Sequence, residues 1–383
     1  MNKKQKTAIV TGSNGLIGSQ TVEYLIERGY YVVGIDNDMR SYFFGDESST
    51  KKNEKSMTKK YGRDLFNPIS VDIRDYEILE LIFKGLSEDD TRDFDMVVHT
   101  AAQPSHDWAA KEPLTDFSVN AIGSMNLLEL TRLYSPKSSF IFTSTNKVYG
   151  DRPNFSYEND CDDFNYNALR IKELENRYEG FSKNKLMSID ENMSIDQSKH
   201  SIFGSSKVAA DIMVQEYGRY FGMNTVVFRS GCLTGPNHAG AELHGFLSYL
   251  IKCIVNDKPY TIFGYKGKQV RDNIHSWDLV NMFWYYHQKP IPGAVFNAGG
   301  GRENSISILE AIHKVNIILR EIDSTKKEWD NYTISDHARS GDHIWYISDL
   351  TKFKNDYPGW PGITISLDET IKQMVKFELN KIN

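Results

Sequence analysis

Residues 7–18 read Thr7-Ala8-Ile9-Val10-Thr11-Gly12-Ser13-Asn14-Gly15-Leu16-Ile17-Gly18, and their reading decides the fold. The run 7–10 is apolar and strand-like. Glycines follow in the spacing G-x-x-G-x-x-G, and Val22, Leu25 and Ile26 then recur at helical spacing before Gly29. A second apolar run, Tyr31-Val32-Val33-Gly34-Ile35, stops at Asp36. Strand, glycine turn, helix, strand, acid is the order of a dinucleotide site. The glycines let the backbone turn tightly and approach a diphosphate, and the helix start offers unpaired N–H groups and a positive dipole end to the anion. Asp36 stands where a carboxylate accepts hydrogen bonds from the adenosine ribose, which favours NAD over NADP. A glycine triplet alone marks only a turn; the flanking strands and Asp36 give it meaning. Arg40, close behind, keeps a 2′-phosphate in play.

Working outward, the polar stretch 37–67 reads as a long insertion, partly ordered near the adenosine end. Pro68-Ile69-Ser70-Val71 is the expected third strand, ending at Asp72-Ile73-Arg74. Asp95-Met96-Val97-Val98-His99 is the fourth, followed by the small residues Thr100-Ala101-Ala102 and Gln103. Helical spacing runs from 118 to 133, and Ser139-Phe140-Ile141-Phe142 is the fifth strand, leading into Thr143-Ser144-Thr145-Asn146-Lys147-Val148-Tyr149-Gly150. Strands alternating with helices predict an α/β fold, a Rossmann-type doubly wound parallel sheet with ligands beyond the strands' carboxyl ends. Residues 151–200 are too long for an ordinary loop and read as a lid or an embellishment. A helix over 203–221 and a strand over 225–228 follow. The expected organisation is an NAD-binding domain over 1–230, with insertions at 37–67 and 151–200. A smaller α/β substrate domain lies mainly over 231–383, with parts returning to the first.

The 383 residues carry a net charge of −6, so no basic footprint suggests nucleic acid. Cys161, Cys232 and Cys253 are odd in number and scattered, which suits a reducing cytoplasmic setting rather than a disulfide framework. The first strand begins too early for a signal peptide, and no apolar run reaches membrane-spanning length.

These residues resemble the extended short-chain dehydrogenase/reductases that act on nucleotide sugars. The resemblance rests on the glycine loop, Asp36, Asp72-Ile73, Ala101-Ala102, the hydroxyl cluster before Val148-Tyr149-Gly150, and Lys207. It extends through Gln269-Val270-Arg271-Asp272-Asn273-Ile274-His275, Phe296-Asn297-Ala298-Gly299-Gly300 and Arg339-Ser340-Gly341-Asp342. Ser144-Thr145-Asn146-Lys147-Val148-Tyr149-Gly150-Asp151 and Gly267-Lys268-Gln269-Val270-Arg271-Asp272 are similar to the CDP-paratose 2-epimerase group of that family. The resemblance implies NAD as cofactor, held by Gly12, Asn14, Gly15, Leu16, Ile17, Gly18, Asp36, Asn37, Asp72, Ile73, Ala101, Ala102, Gln103, Asn120, Thr143 and Lys207. It implies a nucleotide sugar near His106, Asn146, Phe203, Cys232, His244, Arg271 and Arg339. The two arginines suit a diphosphate, because a planar fork grips two oxygens.

The implied reaction is epimerisation through transient oxidation at a sugar carbon, C2 of a CDP-hexose by the resemblance. Thr145 occupies the position of the hydroxyl that bonds the reacting oxygen, and Lys207 the lysine position of Y-x-x-x-K. The tyrosine position holds Phe203, which takes no proton. Three readings stay open: another base (Cys232, Lys147, His106, His200 or Tyr149), Lys207 acting through water, or a protein that binds NAD and a nucleotide sugar with little catalysis, a sensor or scaffold. Cys232 also has a plain reading as a small core hydrophobe. A 4,6-dehydratase carries Asp-Glu after the threonine and a decarboxylase a Glu nearby; Asn146-Lys147 disfavours both.

His99 reads as structural, and His106 and Asp107 as capping the next helix. His238, Glu242 and His244 follow Gly235-Pro236-Asn237 and suit the sugar pocket; their spacing matches no metal site, and none is assigned. The helices 114–133 and 203–221 carry broad apolar faces that in relatives form a four-helix interface, so a homodimer is expected.

Overall fold

The computed structural model describes residues 4–154, 170–182, 185–238, 240, 245–338 and 341–382. The chain divides into two compact units. The first comprises Met1–Thr145, Ile202–Arg229 and Leu279–Phe296, the second Asn146–Ser201, Ser230–Asp278 and Asn297–Asn383. In this division residues 146–201 cluster with the second unit, whereas the expected first domain ran over 1–230, and residues 279–296 cluster with the first.

The first unit is a seven-stranded sheet. Its strands are β1 (Gln5–Thr11), β2 (Tyr31–Ile35), β3 (Phe66–Ile69), β4 (Arg92–His99), β5 (Ser139–Thr145), then Asn224–Ser230 and Ala294–Ala298. From one edge the order is Ala294–Ala298, Asn224–Ser230, β5, β4, β1, β2, β3. The pairs β1–β2, β1–β4, β2–β3 and β4–β5 are parallel. The strand order reverses between β1 and β4, so the crevice beyond their carboxyl ends is the switch point where ligands of such sheets bind. Ile9, Val33, Ile35, Val97, Phe140 and Phe142 pack with Leu127, Leu128, Ala210 and Val214 of the covering helices. Apolar residues on both strand faces are what a sheet covered by helices requires.

The third strand lies two residues earlier than the Pro68–Val71 expected. Fully buried Phe66 anchors it against Val32, and a methyl group on Gly34 would lie 2.7 Å from its ring. Pro68 is tolerated because β3 is an edge strand. The insertion expected over 37–67 contains α2 (Met39–Phe44), a 3₁₀ turn at Asp46–Ser48 and α3 (Lys51–Tyr61), and it ends in the first residues of β3. The helix expected over 118–133 runs as α6 (Pro113–Phe117), a π-helical turn at Ser118–Ile122 and α7 (Gly123–Tyr134).

The helix Ser201–Phe221 is fastened to the sheet by a buried ion pair. Asp211 accepts from Nε and a terminal nitrogen of Arg229, each at 3.0 Å, and also from Ser144 Oγ at 2.8 Å and Gln215 Nε2 at 2.6 Å. Four donors satisfy the carboxylate, so its burial costs little. The pair fixes the helix one turn beyond Lys207.

The second unit is also α/β. Val270–His275 pairs in parallel with Cys232–Thr234 and Trp345–Tyr346, and antiparallel with Ser305–Ser307. The helices Phe246–Val255, Ile308–Ile322 and Leu367–Ile382 share one apolar core with Ile262 and Ile306. Ser307 and Glu310 form a reciprocal capping box at the start of Ile308–Ile322.

Candidate active site

In the first unit the glycine turn is a close-packed knot of backbone. A methyl group on Gly18 would lie 2.0 Å from the Gly12 carbonyl oxygen, and one on Gly12, whose φ is +66°, would lie 2.8 Å from the Ala101 nitrogen. Gly12 N donates to Ile35 O at 2.8 Å, tying the turn to the end of β2. Helix α1 (Leu16–Ile26) starts from Gly15 with no side-chain cap and no acid in its first turn. Its leading N–H groups and dipole therefore suit an anion. Asp36 Oδ2 accepts from Asn14 N at 3.0 Å and Oδ1 from Asp38 N at 2.8 Å. Burial raises the Asp36 carboxyl above its usual range, against these two donors. Asn37 Nδ2 donates to Asp72 at 3.0 Å, and Asp72 is gripped by Arg74. Ile73 packs against Gly123, where a methyl group would lie 2.6 Å from its Cδ1. A bare helix start, a turn with no space for a Cβ and a carboxylate at the end of β2 together fit a dinucleotide.

Next to the turn, Ala101 N and Thr100 lean on Thr11. The segment Ala101–Gln103 is clamped by Asn120, on the π turn. Its Oδ1 accepts from Gln103 N at 2.9 Å, and its Nδ2 lies 3.0 Å from Gln103 O, 3.1 Å from Asp116 Oδ1 and 3.1 Å from Ser206 Oγ. Widening the helix by one residue at Ser118–Ile122 presents this amide inward. Asp116 is fully buried, and burial raises its carboxyl. His99 has both nitrogens engaged, Nδ1 with Thr11 Oγ1 at 2.7 Å and Nε2 with Ser124 Oγ at 2.8 Å. Burial, then Lys207, holds it down to about 3, so it is neutral.

Lys207 is only 3% exposed. Its Nζ donates to Thr143 O at 2.8 Å and stands 4.1 Å from the Phe142 ring centroid. Burial pushes the ammonium down to about 7, against Asp211 and Asp116. Phe203, one turn earlier on the same helix, is buried edge-on against His106, ring centroids 5.0 Å apart. The cap of α5 (His106–Lys111) is Ser105, whose hydroxyl accepts from Trp108 N; His106 and Asp107 form the first turn instead. A one-residue shift of register explains the difference, because a serine hydroxyl reaches N3 and the imidazole is left for the Phe203 face.

In the second unit a separate charged cluster forms around Lys147. Its Nζ donates to Gly341 O at 2.9 Å and lies 3.8 Å from Asp342, which also accepts from Arg271 at 3.1 Å. Burial pushes Lys147 down to about 8, with Asp342 opposing and Arg271 assisting. Cys232 is half-buried beside these groups, and burial pushes its thiol up to about 11, with Arg271 and Lys147 opposing. Asn146 is buried at the start of the same unit. His200 Nε2 is spent on Val148 O at 2.8 Å and Tyr149 Oη on Asn297 Oδ1 at 2.7 Å, so both read as structural. His244, Arg339, Glu242 and Cys161 lie outside the described residues. Among the described residues no group of three His, Cys, Asp or Glu side chains forms a metal cluster, and no helix is long and apolar enough to cross a membrane.

Asp116, Asp211 and Ser206, which hold these groups in place, are not marked by the sequence motifs. The spacing Asp116–Asn120 and Lys207–Asp211, four residues on a helix, was the available signal. Asp342 was marked only as part of Arg339-Ser340-Gly341-Asp342; its pairing with Lys147 and Arg271 was not, because those partners are distant in sequence.

The profile described as the NAD dependent epimerase/dehydratase family matches residues 8–170 and 181–299. The chain is 29% identical to CDP-paratose 2-epimerase of Salmonella typhi, over 93% of this chain and 95% of that protein. It is 26% identical to a putative UDP-glucose 4-epimerase of Methanocaldococcus jannaschii, over 97% and 98%. The structure of UDP-glucose 4-epimerase from Thermotoga maritima with UDP-glucose superposes with a TM-score of 0.70 at 25% identity, covering 98% of this chain and all of that one.

Gly18→Ala is expected to lower stability by about 1–3 kcal/mol, the usual range for overpacking, and to cut NAD affinity at least tenfold, read by thermal denaturation and calorimetric titration. Gly85→Ala, on a helix with nothing near its Cβ, is expected to leave NAD affinity unchanged.

Proposed function

The chain belongs to the NAD dependent epimerase/dehydratase family, and from that premise we propose that it inverts C2 of a CDP-hexose by transient oxidation. When bound, NAD supplies the acceptor and then the donor of hydride at the sugar carbon. The glycine turn and the start of α1 would hold its diphosphate, Asp36 its adenosine ribose and Lys207 its nicotinamide ribose. Ala101, Ala102 and Gln103, the last held by Asn120, would line the site beside it. CDP-paratose 2-epimerase stands among the relatives, which supports the substrate class.

One observation carries the reading: directly after Thr145, where a dehydratase presents an acid pair, this chain has Asn146 and a buried lysine pushed down to about 8. A dehydration needs a proton donor for a leaving hydroxyl, and none stands there. An epimerisation needs a base that takes the hydroxyl proton and gives it back. Lys147 as a neutral amine suits that exchange, since a base works best with a pKa near the working pH. Thr145 hydrogen-bonds the reacting oxygen. Cys232, protonated at neutral pH, contacts the sugar rather than deprotonating it. By the family resemblance, Arg271 and Arg339 are the proposed diphosphate contacts, and His106, Phe203 and His244 the proposed sugar contacts. Phe203 supports a second reading, binding of NAD and a nucleotide sugar without turnover.

We also propose a homodimer. Helix α7 and the helix Ser201–Phe221 lie side by side, with Tyr217 Oη bonded to Glu129 at 3.1 Å. Leu114 (88%) and Tyr220 (80%) are the most exposed large apolar side chains on these segments, with Phe117, Ile122 and Ile212 also outward. Exposed apolar side chains on neighbouring helices are what a partner copy would cover.

A neutral amine base makes kcat/KM rise with pH. With CDP-paratose as substrate and turnover followed by NMR, the midpoint is expected near 8 for Lys147, against near 7 if Lys207 is the base. Lys147→Ala is expected to lose about 10²–10⁴-fold in kcat; full activity in that variant removes Lys147 as the base. No turnover with any CDP-sugar favours the binding reading. Light scattering is expected to give twice the chain mass of 43.9 kDa, and Leu114→Glu with Tyr220→Glu the single mass; a monomeric wild type refutes the dimer.

A further inference from the structure

The helix α3, built from the 37–67 stretch, reaches back to the glycine turn. Asn53 Nδ2 donates to Asn14 O at 2.9 Å, and Asn14 Nδ2 donates to Glu54 Oε2 at 3.0 Å. The backbone N–H of the same Asn14 donates to Asp36. One buried asparagine therefore bridges two carboxylates: Asp36 at the end of β2, and Glu54 on a helix from another part of the chain. Glu54 is close enough to help raise the Asp36 carboxyl. The site is thus more negative than one acid would make it.

The neighbouring charged groups have contacts of their own. Asp38 is held by Thr50 N at 2.9 Å and Ser49 Oγ at 2.7 Å, with exposed Lys51 3.9 Å away. Arg74 is committed to Asp72 through two nitrogens. Arg40 stacks its guanidinium 4.9 Å from the Phe44 ring centroid, and burial pushes it down to about 10. Among the described residues, the cations that reach Asp38 and Asp72 are Lys51 and Arg74.

We propose that Glu54 is a second determinant of dinucleotide choice, its carboxylate joining that of Asp36 to exclude a 2′-phosphate from the adenosine ribose. Two fixed negative charges in a partly buried site oppose a third, doubly charged group more strongly than one does, because the interior screens charge poorly. The same helix fastens the glycine turn through Asn53, so the residue that selects the cofactor belongs to the element that shapes its site. The inference rests on the NAD site and is independent of the sugar and the base.

The test is competition at the protein. Purified wild type, Glu54→Gln and Glu54→Lys are each incubated with an equimolar mixture of NAD⁺ and NADP⁺ and freed of unbound nucleotide. The nucleotide released on denaturation is then quantified by chromatography. Glu54→Gln keeps an oxygen for Asn14 and removes only the charge. The wild type is expected to retain NAD⁺ in large excess. The NADP⁺ to NAD⁺ ratio is expected to rise about tenfold in Glu54→Gln and further in Glu54→Lys, as one and then two charge steps are removed. Wild-type ratios in both variants, with NAD⁺ still bound at full stoichiometry, overturn the inference and leave the NAD site standing. A wild type that retains neither dinucleotide overturns both.

Discussion

Gly18 and the carbonyl of Gly12 approach so closely that no methyl group fits between them. That contact lets α1 begin directly off β1. It leaves the helix start bare and places Asn14 where its N–H meets Asp36. The Gly12 turn in turn is a surface on which the backbone of Ala101 rests, so the chain leaving β4 passes close by. A single steric constraint thus sets the bare helix start, the position of Asp36 against Asn14 and the path of the chain after β4, the three features proposed to hold the dinucleotide. None of these depends on a long side chain, which is why three glycines and two alanines carry the proposed site in the sequence.

Burial decides the chemistry of the polar groups. It pushes both lysines down toward neutrality and the Cys232 thiol up. The signs follow from one rule: a poorly screened interior disfavours the charged form of each group. A protein that lacks a phenol at position 203 still holds amines able to accept a proton near neutral pH. Lys207 is fixed from two sides, by Thr143 O and by the helix that Asp211 anchors to Arg229. Lys147 is held by Gly341 O within a cluster that also contains Arg271 and Asp342.

Much of this was legible in the residues. The strand–turn–helix–strand pattern to Asp36 gave the sheet and its cofactor, since backbone approach leaves a compositional trace. β2 ran over the residues its composition marked, and β1, β4, β5 and Asn224–Ser230 proved longer than their apolar cores. What was not legible was set by distant contacts. Phe66 moved β3 because it packs on Gly34, and the polar composition of 51–61 hid a helix whose partner at the glycine turn is Asn14. The π turn at 118–122 left no trace either, because its apolar spacing is that of an ordinary helix. Ser105 rather than His106 capped α5, a one-residue choice that composition does not settle.

The central claim is that the sugar carbon is inverted by hydride that leaves and returns without meeting solvent. The direct measurement is NMR of the product formed from CDP-paratose carrying deuterium at C2, in ordinary water. Full retention of deuterium at the inverted carbon is the predicted result. Its replacement by solvent hydrogen would mean inversion by proton exchange, and would contradict the account.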